Sequence, residues 1–114
     1  MNIIKTKFKD AIILEPKVFG DHRGFFTESY NKEIFHENGI CMDFIQDNHS
    51  LSQQSGTLRG MHYQLSPKAQ TKLIRVTRGA IYDVIVDIRK ESPTYGQWQG
   101  FILSADNKRQ LLVP

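Results

Sequence analysis

Apolar residues come in short runs, most of them closed by a glycine, a proline or a turn-forming residue. Ala11-Ile12-Ile13-Leu14 ends at Pro16, and Gly24-Phe25-Phe26-Thr27-Glu28-Ser29-Tyr30 alternates in part, as does Phe44-Ile45-Gln46-Asp47-Asn48. Leu58-Arg59-Gly60-Met61-His62-Tyr63-Gln64 also reads as extended, with Leu58, Gly60, His62 and Gln64 on one face and Arg59, Met61 and Tyr63 on the other. Leu73-Ile74-Arg75-Val76-Thr77 and Ala80-Ile81-Tyr82-Asp83-Val84-Ile85-Val86-Asp87 flank Gly79, the signature of a hairpin. Gly100-Phe101-Ile102-Leu103-Ser104 and Gln110-Leu111-Leu112-Val113 follow, joined by the turn-rich Ala105-Asp106-Asn107. A single segment has helical grammar: residues 31–38, with Asn31 as N-cap, Glu33 in the first turn and Gly39 just past the end. This pattern predicts an all-β fold of antiparallel strands, a barrel or jelly roll, with one short helix. It is one domain over residues 1–114, and the chain stops at Pro114 straight after an apolar strand, so the sequence reads as cut at that end.

Bulk composition narrows the class. The chain has 114 residues, 24% of them charged and 39% hydrophobic, which is the balance of a globular protein rather than a disordered one. Its formal charge of +3 comes from scattered Lys and Arg without basic runs, which argues against nucleic-acid binding but suits a small anionic substrate. Cys41 is the lone cysteine, so there is no intrachain disulfide and no cysteine-based zinc site. Residues 1–5 lack the basic-then-apolar order of a signal peptide, and no apolar run reaches the roughly 18 residues of a membrane span. The expectation is a cytoplasmic enzyme with no membrane association.

Arg59, His62 and Lys72 then stand out, because charged or titratable groups within strands are costly to bury without partners. An imidazole accepts protons near neutral pH, so His62 suits the deprotonation of a carbon acid. A cation such as Lys72 suits stabilisation of the resulting enolate oxygen. Arg59 and Arg23 could each fork onto phosphate oxygens. Each also has a plainer reading: His62 as a packed or surface histidine, Lys72 as a solvated strand-end lysine, Arg23 as a turn residue in Gly20-Asp21-His22-Arg23-Gly24. Phe25 and Phe26 should face opposite sides of their strand, one in the core and one exposed beside Glu28, where it could stack on a base. Asp83 and Asp87 read as a solvated strand face, with Asp83 a possible orienter of a histidine. Gly60 and Gln64 occupy the positions two residues either side of His62, so there is no His-x-His pair and no metal is expected.

Taken together, these segments resemble the dTDP-4-dehydrorhamnose 3,5-epimerase family. The likeness runs in register through residues 19–30, Gln46-Asp47-Asn48-His49-Ser50, residues 58–64, Ala69-Gln70-Thr71-Lys72-Leu73 and residues 79–89, and continues through Gly96-Gln97-Trp98 and residues 103–107. The resemblance implies a cupin-type jelly roll and a homodimer that exchanges N-terminal strands. It implies a cofactor-free isomerase acting on a dTDP-4-keto-6-deoxyhexose and inverting C3 and C5. It places the catalytic base on His62, the enolate-stabilising cation on Lys72, and Arg59 beside them. Nucleotide contacts fall on Arg23, Glu28, Gln46 and Asn48, with Phe26 near the base. The family's acid, a tyrosine, and the aspartate paired with the histidine lie past the position of Pro114. A polypeptide of these residues alone is therefore expected to be inactive, with Ile81, Ile85, Ile102 and Leu112 short of cover. Two rivals stay open: an epimerase acting at one carbon or on another 4-keto sugar nucleotide, and a non-catalytic cupin-like binding or dimerisation module.

Overall fold

The computed structural model describes residues 1–114. In chain order the elements are β1 (Asn2–Lys5), β2 (Ile12–Glu15), β3 (Val18–Asp21), β4 (Gly24–Thr27), α1 (Lys32–Glu37), β5 (Lys72–Arg75), β6 (Ala80–Val86), β7 (Trp98–Ser104) and β8 (Gln110–Val113). Every strand pairing is antiparallel. The strands form a four-stranded sheet in the order β1-β2-β8-β5 and two ribbons, β3–β4 and β6–β7. The chain divides into two compact units: residues 1–30 with 71–114, which hold all the strands, and residues 31–70, which hold the helix.

The core of the first unit lies between the four-stranded sheet and the β6–β7 ribbon. Ile13 pairs with Leu111, which in turn pairs with Ile74, so all three project from one face of the sheet. Phe101, Leu103 and Ile85 project from the facing side of the ribbon, and the two sets pack into one cluster with Val76 and Val113. Leu103 and Leu111 are completely buried. The other face of the four-stranded sheet is also buried, at Leu14 and Leu112, so Leu112 does not lack cover. On the outer face of the ribbon, by contrast, Tyr82 and Ile102 are directly paired and 65% and 64% exposed. A Cβ at Gly100 would overlap the Tyr82 side chain, so glycine there is a packing requirement of that face.

The helix follows its sequence signals closely. The Asn31 side chain accepts a hydrogen bond from Ile34 N at 3.2 Å. At the other end Gly39 takes φ +79°, its N–H reaches His36 O, and Ile40 N reaches Phe35 O, both at 2.9 Å. These two bonds are a Schellman closure, which requires the left-handed conformation that glycine adopts without penalty. Phe35 and Ile40 are the buried side chains of this segment.

Several strand expectations are corrected. Residues 44–48 and 58–64 form no strand. Ile45 and Leu58 are almost fully exposed, so neither alternating pattern has an apolar surface to lie on. In the first segment Gln46 donates to Asn48 at 3.1 Å, a local bond in place of a ladder. In the second, Gly60 has φ +105°, outside the extended region; the Gly60–Met61 and Ser66–Pro67 peptides are cis. Gly79 does turn the chain, at φ +76°, but not into a hairpin: β5 pairs with β8 while β6 pairs with β7. The Gly79 carbonyl instead accepts from Ala105 N at 2.9 Å, tying together the two turns where the chain changes sheets. β1 and β3 were not anticipated.

Asp87 is likewise no solvated residue. It is 6% exposed, and its carboxylate accepts hydrogen bonds from Arg89 N and Nε, both at 3.0 Å, from Ser92 Oγ at 2.5 Å and from Thr94 Oγ1 at 2.6 Å. These bonds organise the 88–97 loop at the end of the ribbon, and those from Arg89 above all hold the Asp87 carboxyl well below the usual carboxylate range. A lowered folded-state value adds stability above the ordinary carboxylate pKa of about 3.9, and that stability is lost as the pH falls further toward the folded value. Asp87→Ala is expected to lose roughly 2–4 kcal/mol at neutral pH. Asp87→Asn should also flatten the loss of stability below about pH 4. Denaturant midpoints at neutral pH and at pH 3 check both; equal acid sensitivity in wild type and Asp87→Asn would contradict the assignment.

Candidate active site

In the first unit, β3 and β4 form a tight ribbon in which Phe19 pairs with Phe26 and Gly20 with Phe25. Gly24, at φ +134°, closes the turn. Phe25 and Phe26 point to opposite sides, as expected, yet neither reaches a core: they are 63% and 70% exposed. Lys108 stands over the Phe25 ring at 4.2 Å and Lys17 over Phe19 at 5.1 Å. Arg23 forks onto Asp21, with Nη2 to Oδ2 at 2.6 Å and Nε to the same carboxylate at 3.1 and 3.2 Å. That contact draws the Asp21 carboxyl below its ordinary value and raises the Arg23 guanidinium. The tip of the ribbon bounds an open groove of about 390 Å³ lined by Phe19, Asp21, Arg23, Phe25 and Phe26. Glu28 follows it, exposed, just past β4.

Lys72 opens β5, an edge strand, and pairs with Val113. It shares the inner face of the sheet with Ile74 and is half-buried. Across the core, Asp83 pairs with Phe101 and shares the inner face of its ribbon with Ile85 and Leu103. Burial raises the Asp83 carboxyl above its ordinary value, and the positive charge of Lys72 acts in the opposite sense. Lys72 and Asp83 thus both occupy inward positions of the first unit, on the two walls of one core.

In the second unit, Gln46, Asn48, Arg59 and His62 all lie on irregular, exposed backbone. Gln46 and Asn48 are held together by the bond described above. Arg59 Nε donates to Ser52 Oγ at 3.2 Å, on the wall of a shallow groove of about 300 Å³ shared with Leu51, Gln54 and Thr57. His62 rests against Gly60: a Cβ at Gly60 would come within 3.1 Å of the His62 Nδ1, so the glycine both adopts a left-handed φ and clears space for the imidazole. No group of three His, Cys, Asp or Glu side chains converges on a point suited to a metal ion. No helix is long and apolar enough to cross a membrane.

Residues 5–114 match the family model described as dTDP-4-dehydrorhamnose 3,5-epimerase. The chain belongs to this epimerase family. The Shigella flexneri dTDP-4-dehydrorhamnose 3,5-epimerase is 59% identical over 115 residues, covering all of the chain and 63% of the relative. A Bacillus anthracis dTDP-4-dehydrorhamnose 3,5-epimerase, solved with TDP and PPi bound, superposes with a TM-score of 0.96 at 64% identity, over 99% of the chain and 65% of that structure. The Legionella pneumophila dTDP-6-deoxy-D-glucose-3,5-epimerase, solved in complex with dTDP-4-keto-L-rhamnose, gives 0.92 at 53% identity, over 99% and 60%. The chain thus spans a little under two thirds of the length of these relatives. Its antiparallel strands form the cupin-like jelly-roll scaffold of the epimerase family.

Two residues near the candidate site differ from their sequence reading. Gly60 is not a strand residue but a left-handed one that leaves room for the imidazole, and a glycine two positions from a histidine is a cue for such close approach. Asp83 is half-buried on the inner face of its ribbon rather than on a solvated face. The parity Ile81, Asp83, Ile85 was visible, but which parity faces the core depends on the sheet opposite.

Proposed function

We propose that the protein is a sugar-nucleotide isomerase that inverts C3 and C5 of dTDP-4-dehydro-6-deoxy-D-glucose, giving dTDP-4-dehydro-L-rhamnose. The observation that carries this reading is the family match across residues 5–114, which includes every residue singled out for the chemistry. The complex of the Legionella relative with dTDP-4-keto-L-rhamnose supports the substrate class.

The C4 ketone acidifies the protons on C3 and C5. His62 removes one of them, and Lys72 stabilises the negative charge that develops on O4. Reprotonation from the opposite face completes each inversion and needs an acid, which by resemblance is a tyrosine in the part of the relatives beyond the matched residues. Arg59 sits with the base, Arg23 takes the diphosphate, and Glu28, Gln46 and Asn48 take polar groups of the nucleotide, with Phe26 against its base. Arginine forks and exposed aromatic rings suit these tasks. The enzyme works in the cytoplasm without cofactor or metal, as a homodimer that exchanges N-terminal strands. The exposed Phe25 and Phe26 on the β3–β4 ribbon support a partner surface there.

The test is solvent deuterium exchange into the 4-keto sugar nucleotide by the full-length protein, followed by proton NMR. Label at C3 and C5, with product of the L-rhamno configuration, is the expected result, and prior treatment with a chelator leaves the rate unchanged. Exchange at one carbon alone would reassign the protein to a mono-epimerase, and none would make it a binding module. Activity lost to the chelator and restored by one metal would overturn the metal-free mechanism.

A further inference from the structure

We propose that Asp83 is the positioning residue for Lys72, its negative charge drawing the lysine ammonium, without a direct ion pair, toward the space between the two sheets. The inference rests on the epimerase reading for the role of Lys72, but its geometry does not. Two strands from different sheets each send one charged side chain inward among apolar neighbours. Lys72 stands beside Val113 and Ile74 on the four-stranded sheet, and Asp83 beside Phe101 and Ile85 on the ribbon. All four neighbours belong to the same core cluster, so the two charges border one apolar region from opposite walls.

A half-buried charge in such a place is costly unless an opposite charge answers it. Within each strand the sequence offers no alternative on that face. β6 and β7 carry no other ionisable group than Asp83 and the outward Tyr82, and Arg75 on β5 points away from Lys72. On β2 and next to β8 the charged residues are Glu15 and Arg109, paired with each other at 3.0 Å where β8 begins, whereas Lys72 lies beside its last residue. Asp83 and Lys72 are thus each other's electrostatic counterpart, in keeping with the influence of Lys72 on the Asp83 carboxyl.

A flexible lysine stem has four rotatable bonds, and a cation that is to meet a developing oxyanion gains from being aimed beforehand. No ion pair of 4.0 Å or less joins Asp83 to Lys72, which leaves the ammonium's hydrogen-bond donors for a substrate oxygen. Asp83 touches no substrate on this view. It acts through Lys72.

Two measurements on the full-length protein test the proposal. Carboxyl carbon NMR follows the titration of Asp83 in the wild type and in Lys72→Met. The expected result is that Asp83 titrates at higher pH once the lysine charge is gone; an unchanged curve would overturn the coupling. Kinetics with dTDP-4-dehydro-6-deoxy-D-glucose then compare Asp83→Asn and Asp83→Glu with the wild type. Asp83→Asn is expected to lower kcat on the order of 10- to 100-fold with KM little changed, and Asp83→Glu to recover part of the loss. A wild-type kcat in Asp83→Asn, or a loss that Asp83→Glu does not relieve, would overturn the positioning role. If Asp83→Asn does not fold, the Lys72→Met titration together with the Asp83→Glu kinetics decides. A wild-type protein that exchanges no substrate protons, with the coupling present, would overturn the epimerase reading and the positioning role built on it.

Discussion

His62→Ala in the full-length protein is expected to abolish proton exchange at C3 and C5 while leaving dTDP affinity within a few-fold of the wild type. Loss of a general base costs on the order of 10² to 10⁴ in rate. The side chain suits this separation of effects. It is exposed, on irregular backbone, and makes no side-chain hydrogen bond within the chain. The residues proposed for the nucleotide belong to other segments of the chain: Arg23 and Phe26 on the β3–β4 ribbon and Gln46 with Asn48 in their own local bond. Deuterium incorporation by NMR and dTDP binding by calorimetry measure the two effects independently. Exchange near the wild-type rate in His62→Ala would remove the histidine from the mechanism. A parallel fall in dTDP affinity would make it a binding residue instead.

Arg23→Ala is expected to do the reverse: KM for the dTDP-sugar rises on the order of ten- to a hundredfold and kcat changes little. The guanidinium is presented at the tip of the β3–β4 ribbon, forked onto Asp21, and the same fork of donors can take a pair of phosphate oxygens. Both partners of that ion pair are exposed, so the pair is weak and is readily exchanged for a bound phosphate. If the N-terminal strands are exchanged between subunits, Arg23 of one chain serves the site that holds His62 of the other. Mixing Arg23→Ala with His62→Ala subunits should then restore one site in which both residues are intact. Recovered activity in mixed dimers, against none in either parent at low substrate, is the expected outcome. Absence of recovery after confirmed subunit exchange would place both residues in the same chain's site, and an Arg23→Ala effect confined to kcat would move the arginine into the chemistry.

The elements legible in the sequence were those whose cause is local. Asn31, Glu33 and Gly39 announce the start and stop of α1 because a cap is a contact between residues three or four apart. Gly24 and Gly79 announce reversals because a positive φ is a property of one residue. The apolar runs that became β2, β5, β6, β7 and β8 are likewise visible as short apolar stretches bounded by turn residues. The family resemblance was legible for a different reason: it rests on residue identities at several spaced segments and needs no structure.

Tertiary structure alone decided which strand pairs with which. Gly79 joins two strands that never meet, because Ile74 finds Leu111 and Ile81 finds Leu103, partners that no local rule selects. It also decided which parity faces inward. Asp83 and Asp87 alternate with apolar residues as surface aspartates do, yet one lies half-buried on the inner face of its ribbon and the other is enclosed by Arg89, Ser92 and Thr94. Phe25 and Phe26 have the composition of a core strand but lie on a ribbon with no sheet behind it. The 58–64 segment has the alternation of a strand, yet without a ladder partner and with Gly60 in the left-handed region its backbone is irregular around His62. Alternation records only that two faces differ. Which face is buried, and against what, is fixed by the free energy of contacts between segments far apart in the chain, and those contacts exist only once the chain has folded.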